Sequence, residues 1–202
     1  DNNIQWAKQL EQAGIHVVYG IIGFKTHTKI ALIVRKEKGR LRNYFHIGTG
    51  NYNSNTSKFY TDLGLLSTDP EIASDLLELF NYLSGFSKQK SYQKLLVSPS
   101  SMRKKFIFLI KREIKNAEEG KKAEIIAKMN SLVDPEIINL LYLASDSGVK
   151  ISLIVRGICC LYPQRKNLSE NIKVKSIIGH FLEHSRIFWF CNNGDNEVFI
   201  GS

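Results

Sequence analysis

The chain has 202 residues, of which 43% are hydrophobic, and its 28 Lys and Arg against 19 Asp and Glu give a net charge of +9. It is long enough to bury one large core or two small ones, but no apolar run reaches the roughly 20 residues of a membrane span. We therefore expect a soluble cytoplasmic protein with an anionic partner, and peripheral attachment to a membrane stays open.

The first third of the chain predicts a helix, three strands and a second helix. An amphipathic helix should end at Gly14 and lead into a strand over "IHVVYG", residues 15–20. Residues 29–50, "KIALIVRKEKGRLRNYFHIGTG", predict two strands joined by a basic hairpin tip. The second helix should begin at Asp69 and Pro70, an N-cap followed by a favoured first helical residue.

The Ser-rich stretch "FSKQKSYQKLLVSPSS", residues 86–101, predicts a boundary between two domains, residues 1–90 and 91–202. After it come a helix, a strand, a helix capped by Asp134 before Pro135, and a further strand. This is the order of a βαβ unit with parallel strands. The chain opens without the strand that should precede its first helix, and it stops as "EVFIGS" completes a strand. We therefore expect it to be a piece of a longer protein.

The two halves contain an internal repeat. With a shift of 157 residues, "IHVVYGIIGFKTHTKI" aligns without a gap on "IKVKSIIGHFLEHSRI". The alignment places His27 on His184 and Lys29 on Arg186. Each copy then continues as strand, turn and strand and ends in a corner of small residues, "HIGTGNYN" or "FIGS".

This pattern favours phosphate chemistry. A histidine and a cation two residues apart in an extended segment face the same side and can engage one phosphate. The side chains of Thr49 and Asn51 in the corner would also approach that phosphate. Two copies would supply one histidine that attacks phosphorus and one that exchanges a proton. A histidine with a purely structural place in the core would explain either copy taken by itself. Its recurrence two residues before a cation in both copies favours a functional role. His16, His46 and His180 have no repeated partner and are expected to be structural or at the surface.

The motif His-x-Lys, followed by a Gly-Thr/Ser-x-Asn corner, resembles the phospholipase D superfamily. Val34 stands where that superfamily usually has an aspartate, which argues against an ordinary phosphodiesterase. Longer stretches, among them "YGIIGFKTHTKIALIVR", "MNSLVDPEIINLLYLAS", "LIVRGICCL" and "FLEHSRI", resemble class 1 polyphosphate kinase. This resemblance extends over essentially the whole chain.

The resemblance implies an α/β fold of two phospholipase D-like halves, with mixed, mostly parallel sheets flanked by helices. The first half would be truncated at its start and the second at its end. It implies reversible transfer of the terminal phosphate of ATP to inorganic polyphosphate through a phosphohistidine, with Mg²⁺ as cofactor. The implied partners are ATP, ADP and polyphosphate rather than nucleic acid, and a homo-oligomer in the complete protein. The chain alone is expected to be inactive.

Carried onto this sequence, the resemblance makes His27 the phosphorylated histidine and places Tyr60, Arg156 and His184 at the nucleotide. Asp62 is expected to orient His27. Phosphate contacts are also expected from the repeated cations and the corner: Lys29, Arg186 and Asn51.

Some assignments stay open at this stage. Lys128 and Asn130 either face the site or have surface or capping roles, and the basic hairpin tip either guides a polyanion or is simply solvated. No metal ligands are expected in this chain. Two other functions remain as alternatives: a phospholipase D-like nuclease or lipase, and a basic polyanion-binding module without turnover.

Overall fold

The computed structural model describes residues 2–88 and 91–202. The chain forms two compact units, one drawn from the chain up to His27 and from Asp69–Leu95, the other from Thr28–Thr68 and Leu96–Ser202. The domain boundary predicted between residues 90 and 91 falls beside Gln89 and Lys90, which lie outside the described residues, and it stays a prediction.

The first unit contains the two predicted helices, α1 (Asn2–Gln12) and α2 (Pro70–Leu83). The chain leaves α1 through Gly14, whose φ of +79° is readily adopted only by glycine. At the start of α2 the side chain of Asp69 accepts a hydrogen bond from the backbone N–H of Ile72 at 2.9 Å. Both helices confirm the sequence prediction.

The second unit opens with an antiparallel sheet that contains the predicted hairpin. Its strands are β1 (Ile30–Glu37), β2 (Arg40–Gly48) and β4 (Gly64–Ser67), in the order β1-β2-β4. A very short strand, β3 (Tyr60–Thr61), precedes β4.

The larger sheet of the second unit carries its hydrophobic core. The remaining elements are α3 (Met102–Glu118), β5 (Glu124–Met129), α4 (Pro135–Asp146), β6 (Lys150–Val155), β7 (Ile172–Lys175), β8 (Leu182–Glu183), β9 (Arg186–Phe190) and β10 (Glu197–Gly201). The sheet has the order β10-β9-β5-β6-β7; β5, β6 and β7 are parallel, whereas β9 and β10 join antiparallel. The fold is therefore mixed, as predicted, but its strands are not mostly parallel, because parallel and antiparallel pairs are equally represented in this sheet and the β1-β2-β4 sheet is antiparallel.

The core shows why these segments adopt this arrangement. The helices α3 and α4 pack apolar residues against the sheet, and β5 and β6 alternate buried with partly exposed residues. The most deeply buried side chains include Leu109, Leu141, Ile151, Leu153 and Ile172.

The internal repeat is visible in the pairing of the two hairpins. Ile30 lies opposite Ile47 in the first copy, and Ile187 lies opposite Ile200 in the second. The backbone N–H of the corner glycine Gly48 donates to the carbonyl of Lys29 at 2.9 Å, and Arg186 likewise lies opposite Gly201. Each cation therefore stands across from a glycine at the end of its hairpin.

The copies differ upstream of the histidines, where one prediction is wrong. Residues 15–20 form no strand, and Val18 and Tyr19 are exposed. The matching segment of the second copy, β7, is a strand because it pairs in parallel with β6. The β-branched residues of 15–20 favour an extended chain, but a strand also needs a paired neighbour.

A two-residue parallel pairing joins distant parts of the second unit. Tyr60 of β3 lies beside Leu182 of β8, and Thr61 lies beside Glu183. This pairing sets the residues that follow β3 next to those that follow β8. In the part of the chain that the structure describes, no helix is long and apolar enough to cross a membrane.

Candidate active site

A histidine–carboxylate pair lies directly after the β3–β8 pairing. The Nδ1 atom of His184 is 2.7 Å from Oδ1 of Asp62, and the histidine is only 7% exposed. The hydroxyl of Thr49 donates to the same oxygen at 2.6 Å. Because a carboxylate only accepts, Nδ1 carries the proton, and in a neutral ring Nε2 is left as the acceptor.

Thr49 is a fully buried support for Asp62. Its backbone N–H donates to the carbonyl of Leu63 at 2.9 Å, and its hydroxyl accepts from the N–H of Leu63 at 3.0 Å. Both donors of Thr49 are thus directed at protein partners. Its role here is to position a carboxylate, whereas the sequence suggested contact with a phosphate.

Two glycines leave room for neighbouring polar side chains. A Cβ atom at Gly50 would lie 2.9 Å from Cγ of Asp62, and one at Gly64 would lie 2.4 Å from Nε2 of His46. Any larger residue at position 50 would therefore displace the carboxylate. His46 has a polar partner of its own, since its Nδ1 is 2.6 Å from the hydroxyl of Tyr52.

The ring of Tyr60 packs against His184. The two ring centroids are 4.8 Å apart and the planes are tilted by 38°. Tyr60, Asp62 and His184, three residues predicted from the sequence, therefore lie together, but the histidine that Asp62 contacts is His184, whereas the sequence suggested His27.

Lys128 of β5 holds the residues on both sides of His184. Its Nζ is 2.6 Å from Oε2 of Glu183 and 2.7 Å from the hydroxyl of Ser185. The hydroxyl of Thr61 also donates to Glu183, at 3.2 Å. The hydrogen bond from Lys128 holds the pKa of Glu183 below its usual value. Lys128 is thus part of the site, the first of the two roles that the sequence left open.

Two arginines lie at the same end of the larger sheet. Arg156, just after β6, donates from Nε to Oδ1 of Asn130 at 3.1 Å, which orients its guanidinium. Arg186 donates from Nη1 to the carbonyl of His184 at 2.9 Å. Burial lowers the pKa of Arg186, the charge of Arg156 lowers it further, and Asp62 acts in the opposite direction. Two neighbouring guanidinium groups favour an anion between or beside them.

The other predicted residues occupy different settings. His27 is exposed and lies in the irregular segment between α1 and β1, in the first unit. Lys29 is buried at 6% exposure, immediately before β1. Asn51 is exposed, and its backbone carbonyl accepts from the N–H of Asn53 at 2.8 Å.

Within residues 2–88 and 91–202, no group of three or more His, Cys, Asp and Glu side chains is placed to hold a metal ion.

The fold and this site place the chain among α/β proteins of the phospholipase D-like type, as the sequence predicts. Residues 1–89 match the family model described as "Polyphosphate kinase C-terminal domain 1", and residues 95–202 match "Polyphosphate kinase C-terminal domain 2". The chain therefore belongs to the polyphosphate kinase family.

Individual relatives agree with this assignment. Polyphosphate kinases of Parasynechococcus marenigrum and Prochlorococcus marinus are 66% and 67% identical over all of this chain, which spans 28% of each. The crystal structure of polyphosphate kinase from Porphyromonas gingivalis has a TM-score of 0.89 at 40% identity, covering 98% of this chain and 33% of its own. The chain thus corresponds to about a third or less of the length of these relatives.

The contacts of Lys128 give a prediction about stability. Replacing Lys128 with Met should let the pKa of Glu183 return toward its usual range and should cost about 1 kcal/mol of stability at neutral pH. Because the folded pKa of Glu183 is lowered, the pair stabilises above the unfolded pKa near 4.3, and that contribution is lost as pH falls through the folded value.

Carboxyl NMR titration and urea unfolding of the full-length protein at several pH values measure both effects. Lys150→Met, which removes an exposed lysine of the neighbouring strand, is the control. An equal pH dependence of the two variants would contradict a specific Lys128–Glu183 interaction.

Proposed function

We propose that this chain supplies the phosphate-transfer site of a polyphosphate kinase. The reaction is reversible transfer of the terminal phosphate of ATP to inorganic polyphosphate through a phosphohistidine. The main support is the buried His184–Asp62 pair beside two arginines, with a second histidine, His27, at the matching position of the repeat. The names of the relatives agree with this reaction.

In the first half-reaction a ring nitrogen of His27 attacks the γ-phosphorus of ATP. A P–N bond forms, the bond from phosphorus to the bridging oxygen breaks, and ADP leaves with the electron pair. Protonated His184 donates the Nε2 proton to that oxygen, while Asp62 holds Nδ1. In the second half-reaction a terminal oxygen of polyphosphate attacks the phosphorus of the phosphohistidine. A P–O bond forms, the P–N bond breaks with its electron pair returning to the ring nitrogen of His27, and His184 takes up a proton from solvent, so that the chain is longer by one phosphate and both histidines are restored.

The different surroundings of the two histidines support this division of roles. His184 is buried and fixed by a carboxylate, which suits a proton donor whose orientation must not change. His27 is exposed, which suits a group that must accept phosphate from one substrate and deliver it to another.

The cations would stabilise charge on the transferring phosphate. Arg156 and Arg186 offer planar donor pairs that match phosphate oxygens, and Tyr60 would border the nucleotide. Phosphate contacts by Lys29 and Asn51 stay predictions that rest on the sequence motif.

Mg²⁺ remains part of the proposal as a partner of the nucleotide phosphates, whose negative charge it would neutralise. The described residues offer no ligand cluster for it, so we assign it no residue and no step. A homo-oligomer in the complete protein and a cytoplasmic location likewise stay predictions.

The test uses the full-length protein. It should acquire acid-labile, base-stable label from γ-labelled ATP, and it should extend polyphosphate when unlabelled ATP is supplied. Phosphodiester hydrolysis without any labelled protein would instead support the nuclease or lipase alternative. Salt-sensitive polyphosphate binding without turnover would support the binding-module alternative.

Arg156→Lys should lower kcat by about 10- to 1,000-fold, because lysine keeps the charge but loses the planar donor pair. That range corresponds to roughly 1.4 to 4 kcal/mol of lost transition-state stabilisation. Steady-state kinetics of ATP-dependent polyphosphate synthesis measure it. Arg103→Lys, at a surface arginine that pairs with Asp134, the N-cap of α4, is the matched control. An unchanged kcat in Arg156→Lys would make Arg156 structural.

A further inference from the structure

The β1–β2 hairpin presents three arginines on one face. Residues directly opposite each other in an antiparallel pair share a face, and Arg35 lies opposite Arg42 while Glu37 lies opposite Arg40. Alternation along each strand brings both pairs to the same side. We call Arg35, Arg40 and Arg42 the arginine face.

Two neighbouring side chains organise this face. The carboxylate of Glu37 lies 3.5 Å from Nη1 of Arg35 and 3.9 Å from Nη1 of Arg42. The hydroxyl of Tyr44 donates to both oxygens of Glu37, at 3.0 and 3.1 Å, and the guanidinium of Arg42 lies 5.4 Å from the centroid of the Tyr44 ring. One carboxylate cannot neutralise three arginines, so the face keeps an excess of positive charge.

This arrangement is unfavourable for the hairpin itself. Like charges directly opposite each other destabilise an antiparallel pair, and Arg35 and Arg42 are such a pair. The two-residue turn has φ of 48° at Lys38 and 79° at Gly39, a geometry in which asparagine is favoured at the first position. Lysine there is strained but adds a further charge at the tip. Strain and repulsion at one exposed place are typical of a functional surface.

We propose that the arginine face binds a stretch of polyphosphate distant from the reacting end of the polymer. This inference rests on the proposed function, because it takes polyphosphate as the substrate. Guanidinium groups pair with phosphate oxygens through two donors each. Arg35 and Arg42 are both well exposed, with side-chain exposures of 64% and 57%, so a long anion can reach them.

The composition of the face favours a phosphate polymer without bases. Surfaces that bind single-stranded nucleic acid combine positive charge with aromatic rings on which bases stack. The aromatic ring on this face, Tyr44, is covered by Arg42, and its hydroxyl donates to Glu37.

The opposite face of the hairpin carries the exposed apolar residues Val34 and Leu41. An anionic membrane is therefore the competing partner that the experiment must exclude.

The experiment compares long-chain polyphosphate with tripolyphosphate as phosphate donors for ATP formation from ADP by the full-length protein. The variant is the triple change Arg35→Gln, Arg40→Gln and Arg42→Gln. Lys104→Gln, Lys111→Gln and Lys173→Gln together remove the same charge from exposed positions elsewhere and serve as the control. In the arginine variant the KM for long chains should rise by a factor about 10 times larger than the KM for tripolyphosphate. In the control the two KM values should change by the same factor.

A salt titration adds a second measure, since the dependence of log KM for long chains on log salt should become shallower by about one unit per lost contact in the arginine variant. The variant removes the Arg35–Arg42 repulsion together with the exposed contacts of both arginines with Glu37, so the hairpin should keep about the same stability. The single change Arg40→Gln, which should give a smaller shift in the same direction, tests the idea if the triple variant does not fold.

The outcomes separate this inference from the proposed function. Absence of ATP formation by the unmodified protein contradicts the proposed function. If ATP forms but the two KM values change by the same factor, the arginine face does not bind the polymer. Loss of binding to anionic phospholipid vesicles or to single-stranded DNA, with an unchanged KM ratio, would assign the face to a membrane or to nucleic acid and overturn the inference.

Discussion

His27→Ala in the full-length protein should abolish acid-labile label from γ-labelled ATP and reduce polyphosphate synthesis to background. No other group in the proposed mechanism accepts the phosphate, so its removal blocks both half-reactions. Because His27 is exposed, the substitution should leave the unfolding temperature nearly unchanged. Label retention after acid and base treatment, followed by peptide mapping, measures the result.

His16→Ala is the matched control, since it removes an exposed histidine of the same unit that has no repeated partner. It should retain full labelling. His184→Ala should still form some phosphohistidine on His27, but more slowly, because the proton donor is lost. Label that persists on His184 in the His27 variant would reverse the roles proposed for the two histidines.

Asp62→Asn should lower kcat by about 100- to 10,000-fold, the scale seen when a carboxylate that orients a catalytic histidine becomes an amide. Asparagine can present an N–H to Nδ1 of His184, which would hold the ring in its neutral form with the proton on Nε2. A neutral ring is a much weaker proton donor than the imidazolium that the Asp62 carboxylate stabilises. The same substitution weakens the contact with Thr49 but preserves side-chain volume.

Nitrogen NMR of the labelled histidine distinguishes this mechanism from simple destabilisation. His184 should carry its proton on Nδ1 in the unmodified protein and on Nε2 in the Asp62→Asn variant. Thr49→Val keeps the carboxylate and should lose less activity, without a change of tautomer. An unchanged tautomer in Asp62→Asn, with normal kcat, would show that Asp62 does not orient the reacting ring.

Local signals in the sequence were sufficient to predict several helices and strands. Asp69 before Pro70 and Asp134 before Pro135 predict the starts of α2 and α4, and both aspartates cap as expected. Gly39 between two alternating segments predicts the β1–β2 hairpin. In each case the determining interactions lie within a few residues, which is why composition and spacing reveal them.

The arrangement around His184 depends on distant residues and was only partly predicted. Repetition pointed to His184 and the family motifs to Asp62, but their pairing depends on a contact between segments 122 residues apart. The sequence allowed Lys128 to face the site but left a surface role equally open, because its partners Glu183 and Ser185 belong to other segments. The strand predicted for residues 15–20 is wrong for a related reason, since a strand requires a neighbour that its own sequence does not specify.

The pairing of β3 with β8 also determines when the site can form while the chain is being translated. Asp62 leaves the ribosome long before His184, and closing so large a loop is entropically costly until the larger sheet is in place to hold the second partner. His184, the proton donor of the proposed mechanism, therefore gains its orientation only at a late stage of folding. Under the proposed mechanism, a nascent or interrupted chain would carry His27 and Asp62 without a positioned proton donor, and it would react with ATP only slowly before the whole site exists.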